Sequence, residues 1–171
     1  MNLGILAPRK RQMELLDVAR GLRQQGLDCE LQFVGTGCSD TSYMSAVLGE
    51  IKPMEKEGFA QCIGPKTGAG LVKLLDASGG MAHFSPAESF GLAAAEGVAR
   101  ELKLFGARVG AVPDVVAGVP GSELFDVDDW CGLTLAIADW VRSGFPRAHS
   151  TGEITRARYH SKIVAQQHVE I

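Results

Sequence analysis

Residues 85–100 read S-P-A-E-S-F-G-L-A-A-A-E-G-V-A-R, and the organisation of the whole chain follows from them. The apolar run Met81-Ala82-His83-Phe84 stands just before and has the pattern of a buried strand. Ser85-Pro86-Ala87-Glu88 makes a turn, and from Gly91 onward Leu92, Ala93, Ala94, Ala95 and Glu96 are strong helix formers. A strand, a tight turn and a helix start leave backbone N–H groups unpaired, at the end where the helix dipole favours an anion. Glu88 and Glu96 bracket that place. If the whole segment between them were helical they would stand about 12 Å apart along its axis. A phosphate on the N–H groups, with hydroxyl-rich groups accepted by the two carboxylates, matches the chemistry of a sugar nucleotide.

Working outward, strands and helices alternate along the chain. Asn2 to Ala7 reads as a first strand, broken by Pro8. Arg9 to Gln25 reads as a helix whose Met13, Leu15, Leu16, Val18, Ala19 and Leu22 share a face, with Gly26 as its stop. Cys29 to Val34 is a second strand, closing a β-α-β unit. Ser39 to Glu50 reads as a helix capped by Ser39 or Asp40. Residues 51–58, charged and carrying Pro53, read as a surface connection. Phe59–Ile63, Leu102–Arg108 and Leu124–Val127 are further strand candidates. Gly70–Ala77, Asp114–Ala117, Asp128–Val141 and Thr155–Ile171 are further helices. The pattern predicts an α/β fold, a Rossmann-like three-layer α/β/α sandwich with a parallel sheet, as one domain over residues 1–171. Ligands of such sheets lie beyond the carboxyl ends of the strands, where the Pro8–Lys10, Gly35–Gly37 and Ser85–Gly91 loops would gather.

Composition narrows the function. The chain has 171 residues, 46% apolar and 22% charged, with a net charge of −3. That is an ordinary globular balance, with no basic character to suggest nucleic acid. No apolar run has the length of a transmembrane helix, and Arg9-Lys10-Arg11 follows the first apolar run, the wrong order for a signal peptide. Cys29, Cys38, Cys62 and Cys131 form no C-x-x-C pair, and His83, His149, His160 and His168 form no cluster. Reduced thiols, a cytoplasmic location and no metal are therefore expected.

The same residues carry a family resemblance. Glu88, seven residues and Glu96, with Phe90-Gly91-Leu92 between, resemble the signature of retaining glycosyltransferases of the GT-B fold, most closely glycosyltransferase family 4. A-P-R-K-R-Q-M-E-L-L resembles that family's first β-α turn, L-Q-F-V-G-T-G its second strand and loop, and V-G-A-V-P-D-V-V its V-G-G-x-P-E-V-V. The resemblance implies a donor-binding C-terminal domain, the half of a larger two-domain enzyme whose N-terminal domain holds the acceptor. It assigns Lys10 and Glu88 catalytic roles, Lys10 at the diphosphate and Glu88 at the donor sugar. It assigns donor contacts to Arg9, Ser89, Phe90, Gly91, Leu92 and Glu96, the last at the ribose. The donor would be a UDP- or GDP-linked sugar, with no cofactor.

Two positions depart from the family. An Arg usually follows the first glycine, where this chain has Ile5 after Gly4, so Arg9 or Arg11 would have to serve instead. The family's A-x-x-x-G-x-P-V after the second Glu is replaced by G-V-A-R-E-L-K-L-F. Other readings of single residues stay open. Arg9-Lys10-Arg11 could be a solvated basic turn, Glu88 and Glu96 ordinary helix acids, and His83 reads as a core histidine of its strand. A non-catalytic nucleotide-binding or interaction module is the rival reading, and half of a sugar-nucleotide epimerase a third.

Overall fold

The computed structural model describes residues 1–37, 40–149 and 151–159. Six short parallel strands alternate with seven helices among them. The strands are β1 (Asn2–Leu3), β2 (Leu31–Val34), β3 (Ala60–Gly64), β4 (Gly80–His83), β5 (Lys103–Ala107) and β6 (Ser122–Phe125). The helices are α1 (Gln12–Gln24), α2 (Thr41–Lys56), α3 (Gly68–Ala77), α4 (Leu92–Ala99), α5 (Val112–Val116), α6 (Trp130–Arg142) and α7 (Thr151–Tyr159), and a 3₁₀ turn spans Pro8–Lys10.

The strands form two parallel sheets, β1-β2-β3 and β4-β5-β6. The two meet along β1 and β4, so the sequence of strands across the molecule is 3-2-1-4-5-6, the doubly wound order whose reversal point is a ligand crevice. The seam is bonded at one end. Met1 N donates to the Gly80 carbonyl at 2.8 Å, Ala82 N–H to the Met1 carbonyl at 2.9 Å, and the buried Asn2 amide to the Ala82 carbonyl at 2.9 Å. On its other side β1 pairs with β2, Asn2 beside Phe33 and Leu3 beside Val34, and the chain continues along β2 with Gly4 N–H on Val34 and Leu6 N–H on Thr36. Among the described residues no backbone bond joins β1 to β4 beyond Ala82.

Two apolar cores lie on the two faces. One gathers α1, α2 and α6, with Leu15, Leu16, Val47, Ile51 and Leu133 against Phe33, Phe84 and Phe105. The other gathers α3, α4, α5 and α7, with Leu75, Val98 and Val115 against Met81 and Leu104. This is the three-layer α/β/α sandwich expected from the alternation.

Element bounds differ in instructive places. Residues 51–56 are helical, not a surface connection. Val47, Ile51 and Met54 keep burial at helical spacing, and α2 runs through Pro53 to Lys56 to seat Met54. Pro53 removes one N–H bond near the end of α2, a cost that the burial of Met54 offsets. Asp40 is the cap, accepting from Tyr43 N–H at 3.0 Å. The first helix does not begin at Arg9. Pro8–Lys10 is 3₁₀, and Arg11 takes a left-handed conformation (φ 54°) that separates it from α1. The last helix starts at Thr151, four residues early, where the buried Thr151 hydroxyl donates to the Val98 carbonyl at 2.5 Å. The rest of that expected helix, to Ile171, lies outside the described residues, as does Cys38.

Candidate functional site

The carboxyl ends of β1 and β4 face each other across the seam, and each delivers one charged side chain. Lys10 comes from the turn after β1. That turn is fixed from below by Gln12, which is fully buried. Its amide donates to the Ile5 carbonyl at 2.8 Å, and its oxygen accepts from Ala7 N–H at 3.3 Å and the Tyr43 hydroxyl at 3.2 Å. Gly4, at φ 151°, leaves open the side along which the Lys10 stem runs; a Cβ there would lie 3.7 Å from Lys10 Cε.

Glu88 comes from the loop after β4. Gly110, in the loop after β5, presses backbone against backbone on it: a Cβ at Gly110 would stand 1.6 Å from the Glu88 carbonyl oxygen. The backbone of Glu88 is therefore set by the V-G-A-V-P-D segment. Its carboxylate is set by a cation, Lys10 Nζ, 2.7 Å from Oε2, with both side chains largely shielded from water.

A third group joins them. His83, the last residue of β4, is 3% exposed. Its Nε2 lies 3.3 Å from the same Glu88 oxygen, at the outer edge of hydrogen-bond reach, and has no other partner. Burial, then the Lys10 charge, lower the His83 pKa from its ordinary value, with Glu88 opposing. For Glu88, burial alone would raise the carboxyl. The Lys10 hydrogen bond and charge, aided by His83 and Arg9, outweigh it and hold the group below the ordinary carboxylate range.

These shifts fix a pH dependence. As pH falls below the ordinary value of 6.5, unfolded His83 binds a proton before folded His83 does, so stability drops until the folded value is passed. Glu88 contributes stability above 4.5 that is lost as pH falls through its lower folded value. In denaturant titrations between about pH 7.5 and about pH 5.5, the native chain should lose more stability than His83→Gln. Equal slopes would mean that the imidazole is not buried neutral.

Beyond Glu88 the loop runs through Ser89 and Phe90, both exposed, to Gly91, which caps α4 in a left-handed conformation (φ 87°). No side chain caps this helix, so its first N–H groups are left without a side-chain partner. Phe90 is held from outside by Tyr159 of α7, edge to face at 5.4 Å. Leu92 is 69% exposed. Glu96 lies one turn further on the same side of α4, exposed and with no hydrogen bond or ion pair among the described residues; desolvation by its surroundings raises its carboxyl above the ordinary value.

The basic turn divides. Arg11 is committed elsewhere, donating to the Val127 carbonyl at 2.9 Å and to Asp128 at 2.7 Å, with its guanidinium 5.6 Å from the Trp130 ring centre. Arg9 is exposed and close enough to act on Glu88. Of the two candidates to replace the absent Arg at position 5, Arg9 is the one available. The altered segment after Glu96 leads from α4 into the start of β5, at the amino edge of the sheet. There Arg100 pairs with Asp76 at the end of α3, through two bonds of 2.7 Å. That departure changes the loop behind the helix and leaves the crevice untouched.

Sequence reasoning passed over Tyr159, Gln12 and the contact role of Gly110. Gly110 had a signal, a glycine within a quoted motif, whereas a polar residue at the start of an amphipathic helix and an aromatic one at the end of another carry none.

Among the described residues no three His, Cys, Asp or Glu side chains converge as a metal site, and no helix is long and apolar enough to cross a membrane. A cavity of about 260 Å³ lies at the opposite, amino edge of the sheet, lined by Met1, Leu22, Met81, Phe105, Trp140 and neighbours. Its lining is mainly apolar, with the buried Met1 ammonium and Glu30 as its charged groups; burial lowers the pKa of that ammonium to about 6.

No family model matches the sequence, and no curated protein is similar to it. Solved structures are similar in fold. HepE of Anabaena in complex with UDP superposes with a TM-score of 0.79 at 20% identity, over 99% of this chain and 46% of that one. HepE with UDP-glucose gives 0.77 at 22% identity, over 99% and 47%. The pneumococcal O-GlcNAc transferase GtfA, in complex with UDP and GlcNAc, gives 0.72 at 16% identity, over 99% and 34%. This chain therefore spans less than half the length of those proteins and shares with them one whole Rossmann-like α/β domain.

Proposed function

We propose that this chain is the donor-binding domain of a retaining glycosyltransferase of the GT-B fold, similar to family 4, acting with a second domain that holds the acceptor. The observation that carries the reading is the meeting of Lys10 and Glu88, from opposite sides of the crevice, at 2.7 Å beside the uncapped start of α4. HepE with UDP and UDP-glucose, and GtfA with UDP and GlcNAc, support a UDP-linked donor over a GDP-linked one. In this reading the diphosphate rests on the first N–H groups of α4 and on Lys10, with Arg9 nearby. Glu88 accepts a sugar hydroxyl, and Glu96 the ribose hydroxyls. The residues around Phe90-Gly91-Leu92 bring backbone close to the diphosphate. As the glycosidic bond breaks, negative charge grows on the departing phosphate, and fixed positive groups there lower the barrier. None of these roles calls for a metal or a cofactor, and reduced cysteines suit a cytoplasmic enzyme.

Calorimetric titration with UDP, GDP and ADP tests it. Binding of one base, weakened about tenfold in Glu96→Ala and more in Lys10→Ala, is the expected result. Undiminished binding in both variants would place the ligand elsewhere and end this reading. A non-catalytic nucleotide-binding module is favoured by one observation, Ile5 in place of the family's arginine. It predicts the same binding with no sugar transfer once an acceptor domain is supplied.

A further inference from the structure

His83 is left without a role by the donor contacts above, yet it sits among them. Its Nε2 is buried, faces the crevice, and has no hydrogen-bond partner. The acceptor it faces, Glu88 Oε2, is occupied by Lys10. A buried ring nitrogen left unpaired is unfavourable and calls for an explanation.

We propose that His83 is the positioning residue of Glu88 in the ligand-bound state: when a nucleoside diphosphate draws the Lys10 ammonium onto its phosphates, the His83 Nε2–H takes the Glu88 oxygen that Lys10 gives up. The inference rests on the donor-binding reading and deepens it.

Two anions compete for one ammonium. A diphosphate carries more charge than Glu88 and reaches the crevice from the solvent side, so it prevails. A carboxylate stripped of its partner would then be free to rotate, and a sugar hydroxyl needs it fixed. His83 Nε2 is already 3.3 Å from that oxygen, so little movement is needed to shorten the contact. The charged groups that face the imidazole are Lys10, from the turn after β1, and Glu88, from the loop after β4, with Arg9 acting on Glu88 from outside. Lys10 opposes protonation of the ring and Glu88 favours it. Removing Lys10 from the pair leaves the favourable charge alone, so the ring gains proton affinity as the ligand binds. A ring that takes the proton then donates a charge-assisted bond to the carboxylate.

The test is an NMR titration of the His83 ring in the 171-residue chain. Without ligand, Lys10→Met should raise its midpoint by about 1 pH unit. Saturating UDP should do the same in the native chain and shift the midpoint less in Lys10→Met, where only the charge of the ligand itself acts on the ring. Calorimetry in buffers of different ionisation enthalpy gives a second readout. Net proton uptake on UDP binding near pH 6 should be greater in the native chain than in His83→Gln, since the terminal phosphate of UDP titrates in both and the imidazole only in the first; a packing role alone does not produce that difference. A midpoint unmoved by Lys10→Met overturns the proposal, as does UDP that binds without moving it. If Lys10→Met moves the midpoint but UDP does not bind at all, the triad is as described and the donor reading has failed. The handover then lacks its trigger and falls with it.

Discussion

Gly110→Ala should unfold the chain roughly 10 °C below the native protein and, in the proposed donor-binding role, abolish nucleotide binding with it. Two costs add. At φ 50° an alanine takes a left-handed conformation that L residues avoid, worth about 1 kcal/mol. The new Cβ would also lie 1.6 Å from the Glu88 carbonyl oxygen, which is backbone and cannot rotate away. The loops after β4 and β5 must move apart, and Glu88 moves with one of them. A total of about 3 kcal/mol is expected, at about 2–4 °C per kcal/mol for a domain of this size. Gly58→Ala is the matched control. Gly58 has φ 75° with nothing near its missing Cβ, so it bears the conformational cost alone. Thermal unfolding of the two side by side isolates the contact. Equal losses would show that the loops do not press on each other.

Phe84→Ala should cost about 3–5 kcal/mol, as large as any single truncation in this core. Phe84 is 1% exposed and directly follows His83. Its ring centre lies 4.7 Å from that of Trp130 and 6.3 Å from that of Phe125. Removing it opens a cavity between the sheet and α6, and Trp130, already half-buried, gains water on one side. A fall in the denaturant midpoint together with a red shift of tryptophan emission in the folded state is the expected pair of results. A loss under about 1 kcal/mol would mean that Trp130 and Phe125 close the gap, and that the ring contributes little beyond its own burial.

The layer order and most strands were legible because each apolar run is bounded by Gly or Pro and each helix carries its own apolar face. Where the reading failed, a tertiary demand outweighed a local signal. Pro53 marks a helix end by its missing N–H, but Met54 had a place in the core and the helix continued to fill it. Arg11 looked like one of three equivalent basic residues until its left-handed backbone turned it toward Asp128. The pairing of Lys10 with Glu88 was not legible at all, being a contact between residues 78 apart in sequence that depends on how β1 and β4 sit side by side. Glu88, Glu96 and the helix start between them stood out by type and spacing, whereas the part given to Lys10 and Arg9 came from the family resemblance. That Lys10 and Glu88 neutralise each other before any ligand arrives came only from the fold.

The seam between β1 and β4 is bonded at Met1, Gly80 and Ala82, and open toward Lys10 and Glu88. Mechanically this is a pivot with two arms. A small change of twist between the half-sheets is greatest at the open end, where the lever is longest, and least at the bonded end. At the open end the tie between the half-sheets is the Lys10–Glu88 ion pair, a single side-chain contact in place of backbone bonds. The apolar side chains beneath are close-packed and transmit strain, so a change of volume in that core is felt at the far end of the lever as well as where it is made.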